Sequence, residues 1–221
     1  MKPDRSVLQK AALHPDFTAW FGQSQLVDEE GKPQVFFRGE QSGSTHEVFD
    51  RKKTRENGFF FTSDYEVASV YAGGRLTGEP RAFFLRADRH IDLRGDGPEQ
   101  RDLIYAWAAR HDKEEFTERA SGEIMDPVDV VQSGHLFDWE GNWSSKLWRD
   151  LQMFVEQKGY DAVTLPDLDH DRGMIPSTVV FKPENVWLIK PTAPSGLPDV
   201  PSLSKVPLSS PAETMASGLS K

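Results

Sequence analysis

The chain of 221 residues suits one domain, or one domain with a tail, and its 37% hydrophobic, 11% aromatic and 28% charged residues match a globular protein with a polar fraction added. A formal net charge of −9 speaks against the basic face of a nucleic-acid binder; no apolar stretch nears the ~20 residues that cross a bilayer, and the N-terminus lacks the apolar core of a signal peptide. With no cysteine, disulfides, thiolate catalysis and Cys-ligated zinc are excluded, and the expected compartment is the cytoplasm or, by delivery, a target cell.

Residues 5–20 read as a helix carrying Leu8, Ala11, Ala12 and Leu13, with Pro15 disrupting the pattern and Phe17, Trp20 and Phe21 forming an apolar anchor. Residues 25–37 read as a hairpin: a short strand, a turn at Glu30-Gly31, then the apolar Val35-Phe36-Phe37. The run Arg51–Arg55 (RKKTR) is the one dense basic segment, and it reads as a solvated loop ahead of a phosphate-binding patch. Phe59–Thr62 is a strand, and Ser63 or Asp64 caps a helix from Tyr65 to about Tyr71, with Glu66 in its first turn. Arg81–Ala87 and His90–Leu93 are further strands. Residues 98–112 form a helix with Leu103, Ile104 and Trp107 on one face.

Residues 113–141 show no regular period. Residues 144–158 form a helix capped by Ser144 or Ser145, buried along Leu147, Leu151 and Phe154, and stopped by Gly159. Asp161–Leu165, Ser177–Phe181 and Val186–Ile189 are the closing strands. From Pro191 onward the chain holds many prolines and serines and no aromatics, so it cannot bury enough apolar surface to offset ordering, and residues 191–221 read as a disordered tail or linker. Short strands with a few interspersed helices make an α+β class.

Five segments in order then resemble one superfamily. Phe17–Ser24 with Val27-Asp28-Glu29-Glu30-Gly31-Lys32-Pro33 is similar to an aromatic-Gly-x-Ser lead-in followed by a Val-Asp-x-x-Gly-x-Pro turn. Val35–Gly39 stands where an apolar strand ends in His-Gly. Gly58–Asp64 with Ala68, Tyr71 and Ala72 resembles a Gly-x-Tyr/Phe-Phe-x-x-Asp element. Gly159–Val163 and Ser177–Val186 resemble the Gly-Tyr-Asp-Gly-Val strand and the closing strand pair. Together they resemble the ADP-ribosyltransferase superfamily, most nearly the bacterial and phage branch of large polyvalent proteins, over about residues 17–190.

That resemblance implies a split two-sheet core whose cleft takes NAD as substrate, with flanking helices. It implies that the backbone of Gly39 lies against the nicotinamide carboxamide, where a Cβ would intrude; an ordinary turn glycine is the plainer reading. It implies that Phe60 and Tyr71, eleven positions apart, sandwich the nicotinamide ring, while the residues alone allow two core aromatics. Thr62 and Ser63 loosely resemble a Ser-Thr-Ser motif of another branch, which also places an arginine where Arg38 stands and uses it on NAD phosphates. In the polyvalent branch that position is usually a ribose-binding histidine.

The catalytic glutamate of the family lies at or next to Ser177, where it offsets the charge that develops as nicotinamide departs. Here residues 174–178 read Met-Ile-Pro-Ser-Thr, without a carboxylate. Ser177 could still bond the ribose. Nearby carboxylates are Asp167, Asp169 and Asp171, in what reads as a loop over 165–173; Asp169 is the candidate surrogate acid. A calcium loop does not fit, because Gly173 falls one place late and Thr178 occupies the twelfth position. A solvated acidic loop is the default.

The resemblance implies NAD-dependent mono-ADP-ribosyl transfer, or NAD glycohydrolysis, by a bacterial or phage toxin or host-takeover factor acting on a protein or nucleic-acid acceptor. The alternative is an inactive binding or structural module of a virion or secreted protein. A nuclease-type toxin is disfavoured by the acidic charge and the lack of a His/Lys/Arg constellation.

Overall fold

Short apolar and β-branched runs bounded by turn residues make the strands. They are β1 (Val35–Arg38), β2 (Phe59–Thr62), β3 (Arg81–Leu85), β4 (His90–Asp92), β5 (Ala162–Asp169), β6 (Gly173–Val180) and β7 (Val186–Ile189). Among the described residues five α-helices accompany them: α1 (Pro15–Phe21), α2 (Tyr65–Tyr71), α3 (Pro98–Ala108), α4 (Pro127–Gln132) and α5 (Ser145–Gln157). The computed structural model describes residues 15–39, 49–51, 57–73, 80–118, 121–134, 136, 145–169 and 173–189. The α+β class holds.

The strands form one seven-stranded sheet in the order β4-β5-β6-β2-β1-β3-β7. β4 and β5 are parallel and every other neighbouring pair is antiparallel. A core of two sheets was expected; here hydrogen bonds between β2 and β6 join the strands into one. The division lies in what covers the sheet. One face, here the front, carries two separate apolar clusters. At the β1–β3–β7 end Phe37, Ala82, Phe84, Trp187 and Ile189 pack with Phe17 and Phe21 of α1 and Ala68 of α2. At the β4–β5–β6 end Ile91, Val163, Leu165 and Val179 pack with α3, α4 and α5. The back face holds Phe36, Phe59, Phe61, Phe83 and Leu85 beneath Leu26 and Phe49.

Several boundaries differ from the sequence reading, each for a local reason. Pro15 opens α1 instead of breaking it, because the first helical turn needs no N–H from its leading residues; residues 1–14 lie outside the described part. The hairpin expected at 25–37 shrinks to one bridge, Val27 to Pro33. There the Asp28 side chain accepts from the Glu30 and Lys32 N–H groups, and Gly31 takes φ 74°. Helix α3 stops at Ala108, short of 112. Within 113–141, where no period was visible, lie a 3₁₀ turn at Lys113–Phe116 and α4, whose Asp126 caps the Val128 N–H ahead of Pro127. Of the two caps expected for α2, Asp64 is the one used, accepting from Glu66 and Val67. The Ser144 cap, the end of the basic run and residues 190–221 lie outside the described residues.

The largest difference is the closing hairpin. Residues 166–169 were expected in a loop and are strand: β5 and β6 pair without interruption from Ala162↔Val180 to Asp169↔Gly173. Pro166 and Pro176 face each other in this ladder.

A buried polar chain crosses the back face. His90 Nε2 lies 2.8 Å from Thr164 Oγ1, which lies 2.8 Å from Thr178 Oγ1. Burial pushes the His90 imidazole below its usual value, with Asp92 opposing in part. A depressed histidine favours the neutral ring in the fold, so its contribution is whole above pH ~6.5 and declines as pH falls below that value. A thermal melt at pH 5.5 should therefore lie below that at pH 7.5, and His90→Gln should lose part of this pH dependence. A difference as large as that of the unsubstituted protein would show that His90 is not its source.

Candidate active site

The sheet's register defines a row of residues running across the front face. Ile189 pairs with Ala82, Ala82 with Phe37, Phe37 with Thr62, Thr62 with Ser177 and Ser177 with Leu165. Paired residues share a face of a sheet. The row is apolar at both ends and polar only at its centre, where the Thr62 and Ser177 hydroxyls sit between the two clusters. Both residues are buried.

The two hydroxyls are used differently. Thr62 Oγ1 accepts the Asp64 N–H at 3.1 Å, which fixes the turn into α2. Ser177 Oγ donates to Asp167 Oδ2 at 2.9 Å. Asp167 follows Val163 and Leu165 on the same face of β5 and is itself buried, at 7% exposure. In the sequence Asp167 is one of the nearby carboxylates, but Asp169 is the favoured one, because residues 165–173 read as a loop. The signal available was alternation: 163, 165 and 167 continue one period-two series. Asp169, the acid expected from the sequence, stands opposite Gly173 at the hairpin's end. Two residues of strand put it about 7 Å further from Ser177 along the backbone than Asp167.

Two strand positions from Thr62, Phe60 faces the front and is half-buried, with its ring 5.7 Å from that of Trp148 on α5. Trp148 was not singled out from the sequence; its partnership with Phe60 comes from helix packing, not from spacing. Tyr71 ends α2 and is 60% exposed. Gly39 lies directly beneath that helix end: a Cβ there would stand 2.2 Å from the Ala68 carbonyl oxygen and 2.7 Å from the Tyr71 carbonyl carbon. The close approach this glycine permits is thus to the backbone of α2. Ser63 follows Thr62 at the strand end and is half-exposed.

Arg38 belongs to the other face. It pairs with Arg81 and alternates with Phe37, so it points to the back of the sheet. Its guanidinium lies over the rings of Phe49 and Phe61, and Nη1 donates to the Phe60 carbonyl at 3.1 Å. The structure therefore gathers Thr62, Ser177 and Asp167 on the front, and joins Gly39 to Tyr71. Arg38 is attached to the strand that carries Phe60 but does not converge with Ser177. Among the described residues no group of three or more His, Asp and Glu side chains is placed to hold a metal ion, and no helix is long and apolar enough to cross a membrane.

The apolar front of this α+β sheet is thus interrupted by a buried hydroxyl–carboxylate pair, with Phe60 and Trp148 close by. The chain belongs to the family described as ADP-ribosyltransferase in polyvalent proteins, whose model matches residues 28–190. Comparison with curated proteins returns no match. Among solved structures it is similar to one described as the crystal structure of an anti-CRISPR protein, at 14% identity and a TM-score of 0.40, over 70% of this chain and 94% of that one.

Proposed function

We propose that this protein is an NAD-dependent ADP-ribosyltransferase or NAD glycohydrolase of the toxin or host-takeover type, using the front-face seam as its reaction site. The observation that carries this reading is the Thr62–Ser177–Asp167 group set beside Phe60 and Trp148 between two apolar clusters. Family membership supplies the substrate class, since these enzymes take NAD as substrate.

The chemistry follows from the substrate. The bond from ribose C1′ to the nicotinamide nitrogen breaks, and nicotinamide leaves with the electron pair as a neutral molecule. The sugar becomes an oxocarbenium-like cation. Water or an acceptor group attacks C1′ and gives up its proton, yielding ADP-ribose or an ADP-ribosyl adduct, nicotinamide and H⁺. The chain would assist in three ways. Phe60 and Tyr71 offer ring faces to the cationic nicotinamide. Thr62, Ser63 and Ser177 offer hydroxyls to the sugar. Arg38, held against the Phe60 carbonyl from the back of the sheet, fixes the strand that carries Phe60.

A second reading is favoured by one observation: β6 carries no carboxylate at its start. In that case the fold serves as an inactive binding or structural module. The deciding experiment incubates the full chain with NAD and measures free nicotinamide, beside Ser177→Ala. Release that the substitution abolishes is the expected result. NAD that binds by calorimetry but is never split would transfer the conclusion to the second reading.

A further inference from the structure

The front face of β5 poses a question that packing does not answer. Val163 and Leu165 are buried there, and a third apolar residue would continue the strand at little cost. Asp167 stands in that place instead. Burying a carboxylate costs far more than burying a valine unless its hydrogen bonds are met. One of them is met by Ser177, reaching diagonally from the neighbouring strand. Of the two seam hydroxyls, Thr62 Oγ1 accepts the Asp64 N–H. Ser177 Oγ is the one that donates to a carboxyl oxygen.

We propose that Asp167 supplies, through Ser177, the negative charge that β6 itself lacks. This deepens the reading of the seam as an NAD-splitting site and rests on it. Ser177 donates its proton to Asp167 and keeps its oxygen lone pairs for a sugar hydroxyl. As the C1′–nitrogen bond lengthens and positive charge grows on the sugar, the carboxylate draws the Ser177 proton closer. The Ser177 oxygen then becomes a stronger acceptor at the moment the charge appears. No proton need be transferred fully, and no group beyond NAD and the acceptor or water is required. Asp167 is here a positioning and polarising residue, and Ser177 is the one that touches substrate. Asp169, at the hairpin's end, has no part in it.

The relay predicts coupling that a merely structural carboxylate would not show. Nicotinamide release by the full chain is measured for the unsubstituted protein, Asp167→Asn, Ser177→Ala, the double variant, Asp169→Asn, and the exchange Asp167→Ser with Ser177→Glu. Circular dichroism confirms that each is folded. Asp167→Asn keeps an acceptor for Ser177 but removes the charge, and kcat should fall by roughly 100-fold with KM within about twofold. The double variant should be no slower than the slower single one, because the two residues act as a unit. Asp169→Asn should match the unsubstituted protein. The exchange puts a carboxylate on β6 directly and should recover at least about tenfold over Asp167→Asn.

If the unsubstituted protein releases nicotinamide and Asp167→Asn does so equally well, the relay is wrong while the reading of the site survives. The same holds if the two single effects multiply in the double variant. If the unsubstituted protein releases none, the reading of the site fails and takes the relay with it.

Discussion

Gly39→Ala should cost this protein about 3 kcal/mol or more, enough to threaten the docking of α2. A Cβ at that position would meet the Ala68 carbonyl oxygen at 2.2 Å, the Ala72 nitrogen at 2.5 Å and the Tyr71 carbonyl carbon at 2.7 Å. All lie well inside the ~3.5 Å optimum of a nonbonded contact. All are backbone atoms of the helix's last turn, so no side-chain rotation relieves them. Either α2 rises from the sheet, uncovering Phe37 and Ala68, or β1 bends at its end. Gly95→Ala is the matched comparison, since its added Cβ would find nothing nearer than 3.5 Å, and it should change stability by no more than about 0.5 kcal/mol. Urea unfolding of the two variants side by side tests the argument; equal midpoints would sink it.

The second large effect is expected at Trp148. It is buried at the seam's edge and its ring meets Phe60. Trp148→Ala removes an indole from a close-packed cluster and should cost about 3–5 kcal/mol, a fall of roughly 6–20 °C in thermal midpoint for a domain of this size. Trp148→Phe keeps a ring against Phe60 and should lose less than half as much. The functional consequence is separable from the structural one. Below its own melting temperature the alanine variant exposes the α5 side of Phe60, so on the proposed reading of the seam as an NAD site its affinity for NAD should drop further than that of the phenylalanine variant. Unchanged NAD affinity in a folded alanine variant would remove Trp148 from the site and leave it in the core alone.

How legible these features are in the sequence depends on whether neighbours along the chain or across it decide them. Phe59–Thr62 and Arg81–Leu85 are apolar runs whose length and flanks specify a strand by themselves. Helix α5 repeats Leu147, Leu151 and Phe154 at helical spacing, and Gly159 at φ 84° ends it where expected. The extension of β5 and β6 reads as loop because Pro166, Asp167, Asp169 and Pro176 are poor strand formers taken singly. They are strand because each lies opposite a partner in an unbroken ladder. The same holds for the seam. Thr62 and Ser177 are visible as hydroxyl residues near family motifs, but their adjacency is a fact of the β2–β6 pairing. The side of the sheet Arg38 occupies is legible only as parity: one residue past Phe37, it must face the other way.

The place of β6 in the sheet also governs when the domain comes into being. Among the described strands, β6 joins the β4–β5 edge to the β2–β1–β3–β7 portion, and its partner β2 lies over a hundred residues earlier in the chain. Pairings across such a span form late, after shorter-range contacts have closed much of the loop between them. On the ribosome, the N-terminal strands and helices emerge and must wait without their central neighbour. Thr62 is present throughout that wait; the Ser177–Asp167 pair is not. The Ser177–Asp167 contact is therefore made only once most of residues 28–190 have been synthesised.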